Sequence, residues 1–491
     1  MNQEIVRIDN ALCRISADTV LRIPHFSIQT GEHWCLFGGN GAGKSLCARL
    51  LLKALPSGAA HVQYAAGVEP VRDVFVVSFE EQQRLWALDN RHDISEFSGD
   101  ARDQGTTVAS LILGDLAEDE RFPGILRLLD LSELRDRGIR FLSSGQCRKA
   151  MLARALYQRP RLLILDDPLE SIDRDALIRV AAALEQWMTP DTCTLLLCRR
   201  EHDILPGITH LALMEGLTIS AQGHIAAMRE DARFREVTKR RSPVPEVLPA
   251  PAAGRRPLPP LSSGVPLIEL KRVTAGYGGQ AVLRDLSWNM HPGQHTLIEG
   301  PNGCGKSTLL SLIDGENHMA YGQDVTLFGR RRGSGETVWD IKARFGIVSN
   351  EIHNRYVKGW RVLDVVVSGF FDSVGLYDDA GASEQQAARQ WLQALGVADL
   401  STRFYHTISF GQQRLVLLAR AMVKYPSVLI LDEPCVGLDD QTRALILGVA
   451  DRIAATTGTQ ILFVSHTHGE APACINQRLS FTPAGVRISD C

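Results

Sequence analysis

Residues 300–308 read Gly-Pro-Asn-Gly-Cys-Gly-Lys-Ser-Thr, a glycine, four residues, then Gly-Lys-Ser, the spacing with which a backbone closes around phosphates. The preceding HTLIE, residues 295–299, predicts a short strand, and the apolar run Leu309 to Ile313 predicts a helix, giving the strand, loop, helix context that the motif needs. Gly300, Gly303 and Gly305 let successive N–H groups turn inward, and the following helix adds the positive end of its dipole. Lys306 is expected on the β- and γ-phosphates and Ser307 on Mg²⁺, with Pro301, Asn302, Cys304 and Thr308 completing the loop. A glycine-rich turn with no ligand is the competing reading, and repetition decides against it.

The pattern occurs twice. Gly38, Gly39, Asn40, Gly41, Ala42, Gly43, Lys44, Ser45 and Leu46 follow the strand-like HWCLF, so Lys44 and Ser45 correspond to Lys306 and Ser307. Downstream, LSSGQ at 142–146 matches ISFGQ at 408–412, and LLILDDP at 162–168 matches VLILDEP at 428–434. Both pairs are separated by one interval, which marks an internal duplication. Each GQ sequence opens an amphipathic helix, with Leu152 and Leu156 in one and Leu415, Leu418 and Met422 in the other on one side, and Pro160 or Pro426 as the stop. The apolar runs ending in two acids read as parallel strands buried on both faces, with the chemistry at their carboxyl ends. Asp166 and Asp432 suit a Mg²⁺ shell beside Ser45 and Ser307. Asp167 and Glu433 are placed to orient an attacking water.

At 491 residues the chain exceeds one ordinary core, so two domains are expected. A formal charge of -3 gives no general attraction to nucleic acid or anionic lipid. No apolar run reaches the roughly 20 residues of a membrane span, and MNQEIVRIDN lacks the apolar stretch of a signal peptide. A cytoplasmic protein is expected, touching the cytoplasmic face of a membrane only through a separate subunit. The 10 cysteines form no C-x-x-C pair, which argues against a metal or disulfide framework. Cys304, near a helix N-terminus and Lys306, is expected to have a lowered pKa and to be protected from alkylation by ATP.

Prolines 243, 245, 249, 251, 257, 259, 260 and 266 mark residues 242–266 as a stiff extended connector. Lys239, Arg240 and Arg241 just before it read as a solvated helix end. The domains are expected at 1–235 and 267–491, with 236–266 between them.

Phosphate loop, LSxGQ, acid-ended strand and a later histidine, in order and twice, identify the chain as resembling the ABC ATPase superfamily over nearly all of both halves. The resemblance implies an α/β fold of two P-loop ATPase domains joined by the Pro-rich linker. Each would have a RecA-like core, a β-rich arm and a helical subdomain. It also implies that two cassettes pair head to tail, each ATP lying between the phosphate loop of one and the signature of the other. Ser143, Ser144, Gly145 and Gln146, and Ser409, Gly411 and Gln412, would then contact nucleotide. Asp173 and Asp439 look like D-loop residues, His466 like the switch histidine, and Tyr277 like the aromatic that stacks on adenine.

The departures from that pattern are uneven. In the first half Asp167 replaces the catalytic glutamate, Arg199 or Arg200 stands where the histidine belongs, and no aromatic lies near Ile15. In the second, Phe410 replaces a signature glycine. Head-to-tail pairing would put all four changes in one degenerate site, which binds ATP and hydrolyses it slowly. The other, with Tyr277, Lys306, Ser307, Asp432, Glu433 and His466, would turn over. Where the family has a Q-loop glutamine, this chain has Glu80, with Gln82 and Gln83 nearby, and Asn350.

LFGRRRGSGETVWDIK at 327–342, with HTISFGQQRL and APACI, looks like the tandem-cassette branch associated with molybdate-uptake genes and with photorepair. Arg330 to Arg332 read as a surface turn on the β-rich arm. Two roles follow from the resemblance: the ATP-binding subunit of a molybdate-type transporter serving a separate permease, or an ATPase that remodels a cytosolic target such as a ribosome or damaged DNA. A clamp that binds ATP without hydrolysis is the third, and Glu433 and His466 oppose it.

Overall fold

The computed structural model describes residues 3–15, 19–55, 61–78, 81–82, 84–85, 88–89, 105–169, 174–254, 264–277, 280–301, 303–314, 320, 322–356, 359–376, 380–465, 469–482 and 485–491. The chain divides into two compact units, Met1–Arg240 and Arg241–Cys491.

In the first unit a nine-stranded sheet has the order β4-β1-β2-β9-β8-β3-β7-β6-β5. Its strands are β1 (Glu4–Arg14), β2 (Val20–Gln29), β3 (His33–Phe37), β4 (Val62–Tyr64), β5 (Val74–Val77), β6 (Leu162–Asp166), β7 (Cys193–Cys198), β8 (His210–Glu215) and β9 (Thr218–His224). Strands β8, β3, β7, β6 and β5 run parallel, whereas β1 pairs antiparallel with β2 and β4. Helix α1 (Lys44–Leu51) follows β3, and α2 (Ser144–Gln158) precedes β6.

The second unit has the same parallel order in a six-stranded sheet, β15-β16-β17-β12-β18-β19, beside a separate antiparallel sheet β11-β10-β13-β14. The strands are β10 (Ile268–Tyr277), β11 (Gln280–Met290), β12 (Thr296–Glu299), β13 (Asp324–Leu327), β14 (Arg330–Arg331), β15 (Phe345–Val348), β16 (Val428–Asp432), β17 (Gln460–Ser465), β18 (Gln477–Thr482) and β19 (Gly485–Asp490). Its helices include α3 (Lys306–Ile313), α4 (Asn350–Arg355), α5 (Phe410–Met422) and α6 (Asp440–Thr456). Among the described residues no helix is long and apolar enough to cross a membrane.

The acid-ended strands are apolar throughout because both of their faces are covered. Leu163 and Leu165 enter the core on one side of β6, and Leu162 and Ile164 on the other. Leu429 and Leu431 of β16 divide from Val428 and Ile430 in the same way. Burying each such side chain contributes about 1.5–3 kcal/mol, so the strands that carry the acids are firmly held in each unit.

The front of the extended connector is seated on the second unit: Gln441 Nε2 donates to Ser242 Oγ at 2.6 Å, and Val244, Leu248 and Ala252 pack on the core that includes α6. Prolines spaced among apolar residues lay that stretch flat on a helix face. Residues 255–263 lie outside the described residues. The triple arginine also divides, because Arg330 and Arg331 form the exposed β14 whereas Arg332 turns inward to pair with buried Glu336 at 3.3 Å.

Candidate functional site

In each unit three adjacent parallel strands deliver the functional loops to one carboxyl edge. In the first, β3 leads into the phosphate loop, β7 into Arg199, and β6 into Asp166 and Asp167. In the second, β12, β17 and β16 do the same for residues 300–308, the segment after Ser465, and Asp432 with Glu433. The central strand of each trio therefore projects its loop between phosphate loop and acids.

The two phosphate loops have matching backbones. Gly43 and Gly305 hold φ at 108° and 110°, where an L side chain is strained. A Cβ at either would also lie 2.8 Å from a neighbouring carbon, Met214 Cε or Val282 Cγ1. Lys44 Nζ donates to the carbonyls of Gly38 at 2.7 Å and Gly39 at 3.0 Å. Lys306 Nζ does so to Gly300 at 2.7 Å and Pro301 at 2.9 Å. Each lysine thus closes its loop from inside. Burial pushes Lys44 below the ordinary lysine range, while the charges of Asp167 and Asp166 oppose the shift.

In the first unit Ser45 Oγ donates to Asp166 Oδ2 at 2.8 Å. A hydroxyl and a carboxylate held together at the lip of a phosphate loop are the hard oxygen donors that suit Mg²⁺, whose remaining ligands come from water and phosphate. The next residue, Asp167, has φ of 46°. Its carboxylate lies 3.3 Å from Arg199 Nη2, and its carbonyl accepts from Arg148 Nη1 at 2.7 Å. Arg200 instead grips Asp203 at 2.7 and 3.1 Å. Of the two candidate arginines, Arg199 is therefore the one that meets the acid pair.

In the second unit Glu433 adopts the same left-handed backbone, with φ of 47°. Burial, and then the neighbouring Glu433 charge, push the Asp432 carboxyl up to about 6. Two adjacent acids sharing a low-dielectric edge resist joint ionisation, and a cation beside them relieves that cost. Asp432 therefore fits the metal position on chemical grounds. Strand β17 ends at Ser465, whose Oγ donates to buried Glu470 at 3.2 Å, and Arg443 pairs with Glu470 at 2.7 Å, so the start of the switch segment is anchored. His466, Asn302 and Asp173, and the side chains of Tyr277 and Ser144, lie outside the described residues.

Both signature loops are helix N-termini tied by capping boxes. Ser143 N donates to Gln146 Oε1 at 3.0 Å and Gln146 N to Ser143 Oγ at 3.3 Å. Ser409 and Gln412 repeat this at 2.9 and 3.3 Å. A capping box satisfies one orphan N–H of the first turn and the N–H of the cap residue itself, and the remaining donors of the turn suit an anion. Gly145 and Gly411 lie in those first turns. Phe410 turns into its own unit, its ring 5.1 Å from that of His353 and 4.9 Å from the Arg414 guanidinium. It packs against Gly437, where a Cβ would lie 2.4 Å from Phe410 Cε1. Asp439 caps α6, accepting from Thr442 N at 2.8 Å.

Asn350 opens α4 immediately after β15, and its Oδ1 accepts a hydrogen bond from buried Arg414. Gln82 is buried, whereas Glu80 and Gln83 lie outside the described residues. Arg148 and Arg414 were not singled out as site residues. Each stands two places after a signature glutamine, on the buried face of an apolar helix, and that repeated charge is the signal that marks them. For Cys304 the expectation is reversed: burial raises its thiol pKa and outweighs the downward pull of Lys306.

The ABC transporter family profile matches residues 21–170 and 283–436, spanning both phosphate loops and both acid pairs. The chain is 36% identical over 482 residues to the ABC transporter ATP-binding protein ModF of Escherichia coli, covering 96% of each. An uncharacterized ABC transporter ATP-binding protein of Schizosaccharomyces pombe is 25% identical, over 92% of this chain and 93% of that one. Among solved structures, an archaeal ribosome recycling factor, aABCE1, in complex with the stalk protein aP1, aligns with a TM-score of 0.57 and 17% identity over 98% of this chain and 89% of that one, a likeness of fold.

Proposed function

This chain belongs to the ABC transporter family as a tandem ATP-binding cassette protein, and from that premise we propose that its two cassettes divide their labour. The second carries the hydrolytic machinery and the first retains nucleotide as a slow or silent partner. The observation that supports this reading is the Asp167–Arg199 ion pair at 3.3 Å. A carboxylate held by a guanidinium is a poor base for water, and it is shorter than glutamate by about 1 Å, a displacement that can cost about a hundredfold in rate. Arginine cannot accept a hydrogen bond as neutral histidine can.

In the second cassette, Lys306 and the loop N–H groups bind the phosphates, Ser307 and Asp432 hold Mg²⁺, and Glu433 orients the attacking water. His466 contacts the γ-phosphate and Tyr277 stacks on the base. Mg²⁺, when bound, neutralises charge on the phosphate oxygens. In the first, Gly38 to Leu46 bind nucleotide, with Ser45 and Asp166 at the metal. The helix N-termini at Ser143 to Gln146 and Ser409 to Gln412 add N–H donors to an anion, and ATP binding and release drive closing and opening of the paired cassettes. ATPase assays of Glu433→Gln and Asp167→Asn test the division: loss in the second variant with activity kept in the first reverses the assignment.

The motor serves a separate permease as its ATP-binding subunit, with a molybdate-type oxyanion as cargo, in keeping with its likeness to ModF. The second reading, an ATPase that remodels a cytosolic target, is favoured by Asn350 being engaged by Arg414 of its own unit where transporters use a glutamine to sense their membrane partner. Affinity capture with Glu433→Gln separates the two: co-purification of a membrane permease supports the first, and of a ribosome or DNA-repair protein the second.

A further inference from the structure

A cleft of about 50 Å³ opens in the second unit between edge strand β15 and helix α5, with no phosphate-loop residue in its described lining. Its lining includes Lys342, Arg355, Arg420 and Lys424 against one carboxylate, Asp372. Two of these cations are already committed, Lys424 to Asp372 and Arg355 to Glu351. Arg420 differs. It is 6% exposed, and its described partners are all neutral: Nε donates to Tyr356 Oη at 2.7 Å and to Ser368 Oγ at 3.4 Å, and Nη2 to the Ser373 carbonyl at 2.9 Å.

A buried guanidinium is ordinarily matched by a carboxylate, because dipoles alone leave its desolvation undercompensated. Here three neutral acceptors and the face of the Tyr356 ring, 5.7 Å away, hold Arg420 in the wall of a cleft whose described lining carries four basic residues and one acid. A fixed fork donor with ammonium and guanidinium groups around it suits a compact anion with several oxygens.

We propose that this cleft is a binding site for a small tetrahedral oxyanion of the phosphate or sulfate class, anchored by Arg420 and flanked by Lys424 and Arg355, and separate from the nucleotide sites. The anion supplies the negative charge that Arg420 lacks among its described partners. Occupancy ties β15 and α4 to the end of α5.

The test is calorimetric titration of selenate and of inorganic phosphate into the full chain saturated with MgADP, so that both phosphate loops are filled. Saturable uptake is expected, weakened roughly tenfold by Arg420→Lys and severalfold by Lys424→Gln and Arg355→Gln. Arg355 is half exposed, so its variant remains informative where Arg420→Lys does not fold. Adenosine monophosphate competing better than phosphate supports the same site with the oxyanion carried on a larger molecule. No saturable uptake under MgADP, uptake unchanged in Lys424→Gln and Arg355→Gln, or tighter binding of acetate than of selenate overturns the proposal.

Discussion

Arg199 Nη2 lies 3.3 Å from Asp167 Oδ2, so the two residues that replace a glutamate and a histidine in the first unit satisfy each other. The pair is largely buried, and its removal should be felt. Arg199→Ala is expected to lower stability by about 3 kcal/mol, because it removes the guanidinium from a largely buried carboxylate, whereas Asp167→Asn/Arg199→Leu should recover most of the loss. Denaturant midpoints of the three proteins decide whether the pair acts as a structural unit.

Placing the second unit's residues in the first is the complementary measurement of the proposed division of labour. In a Glu433→Gln background, Asp167→Glu with Arg199→His should raise residual ATPase at least about tenfold, and Asp167→Glu alone much less, because the guanidinium would still hold the carboxylate. No gain in the double replacement would mean that the first site is disabled elsewhere.

How much of this was legible in advance depends on the length scale of each cause. The repeated motifs and the strands buried on both faces followed from local spacing and periodicity, whereas the hydrogen bond of Ser45 to Asp166 joins two motifs far apart in the chain. The choice of Arg199 over Arg200 did not follow from spacing, because adjacent residues leaving a strand point in opposite directions and the twist of β7 decides between them. Arg148 and Arg414 were hidden for a similar reason. A charge on an apolar helix face is informative only once its tertiary partner, the Asp167 carbonyl or Asn350, is known. The seating of the connector's front on α6 was not legible, because proline content reports stiffness and not what the stretch lies on.

Proton release should report Asp432. Its carboxyl is pushed up to about 6, and a metal needs it ionised, so Mg-nucleotide binding near pH 6 should release a proton that is absent at pH 8. In the unliganded protein the sign is opposite to that of a salt-bridged acid. The folded state binds the proton more tightly than the unfolded one, so this group's contribution falls as pH rises from the ordinary carboxyl range through about 6. Calorimetry in buffers of differing ionisation enthalpy checks the first statement. Glu433→Gln, which removes the like charge, should shift the release to lower pH.

Alkylation of Cys304 should be slow at neutral pH and accelerate only above the ordinary thiol range, since burial raises its pKa and the thiolate is the nucleophile. MgATP should protect it, with exposed Cys491 as internal control. Equal labelling with and without nucleotide would remove Cys304 from the phosphate loop's contact zone.

Phe410→Gly should cost about 1–3 kcal/mol in stability, less than a fully buried phenylalanine, because it empties the space between Gly437 and His353. A thermal scan reads this directly, and an unchanged midpoint would mean that the ring contributes nothing where it sits.

Asp167 and Glu433 share a left-handed backbone that carries a cost of order 1 kcal/mol in each unit. On the proposed division of labour, the expense at Glu433 aims an acid at the reaction. At Asp167 the same turn carries a carboxylate tied to Arg199. Glycine there would relax the turn but leave Arg199 without that carboxylate, so Asp167→Gly should cost the first unit stability while, on the proposed division of labour, sparing the ATPase that Glu433→Gly would silence.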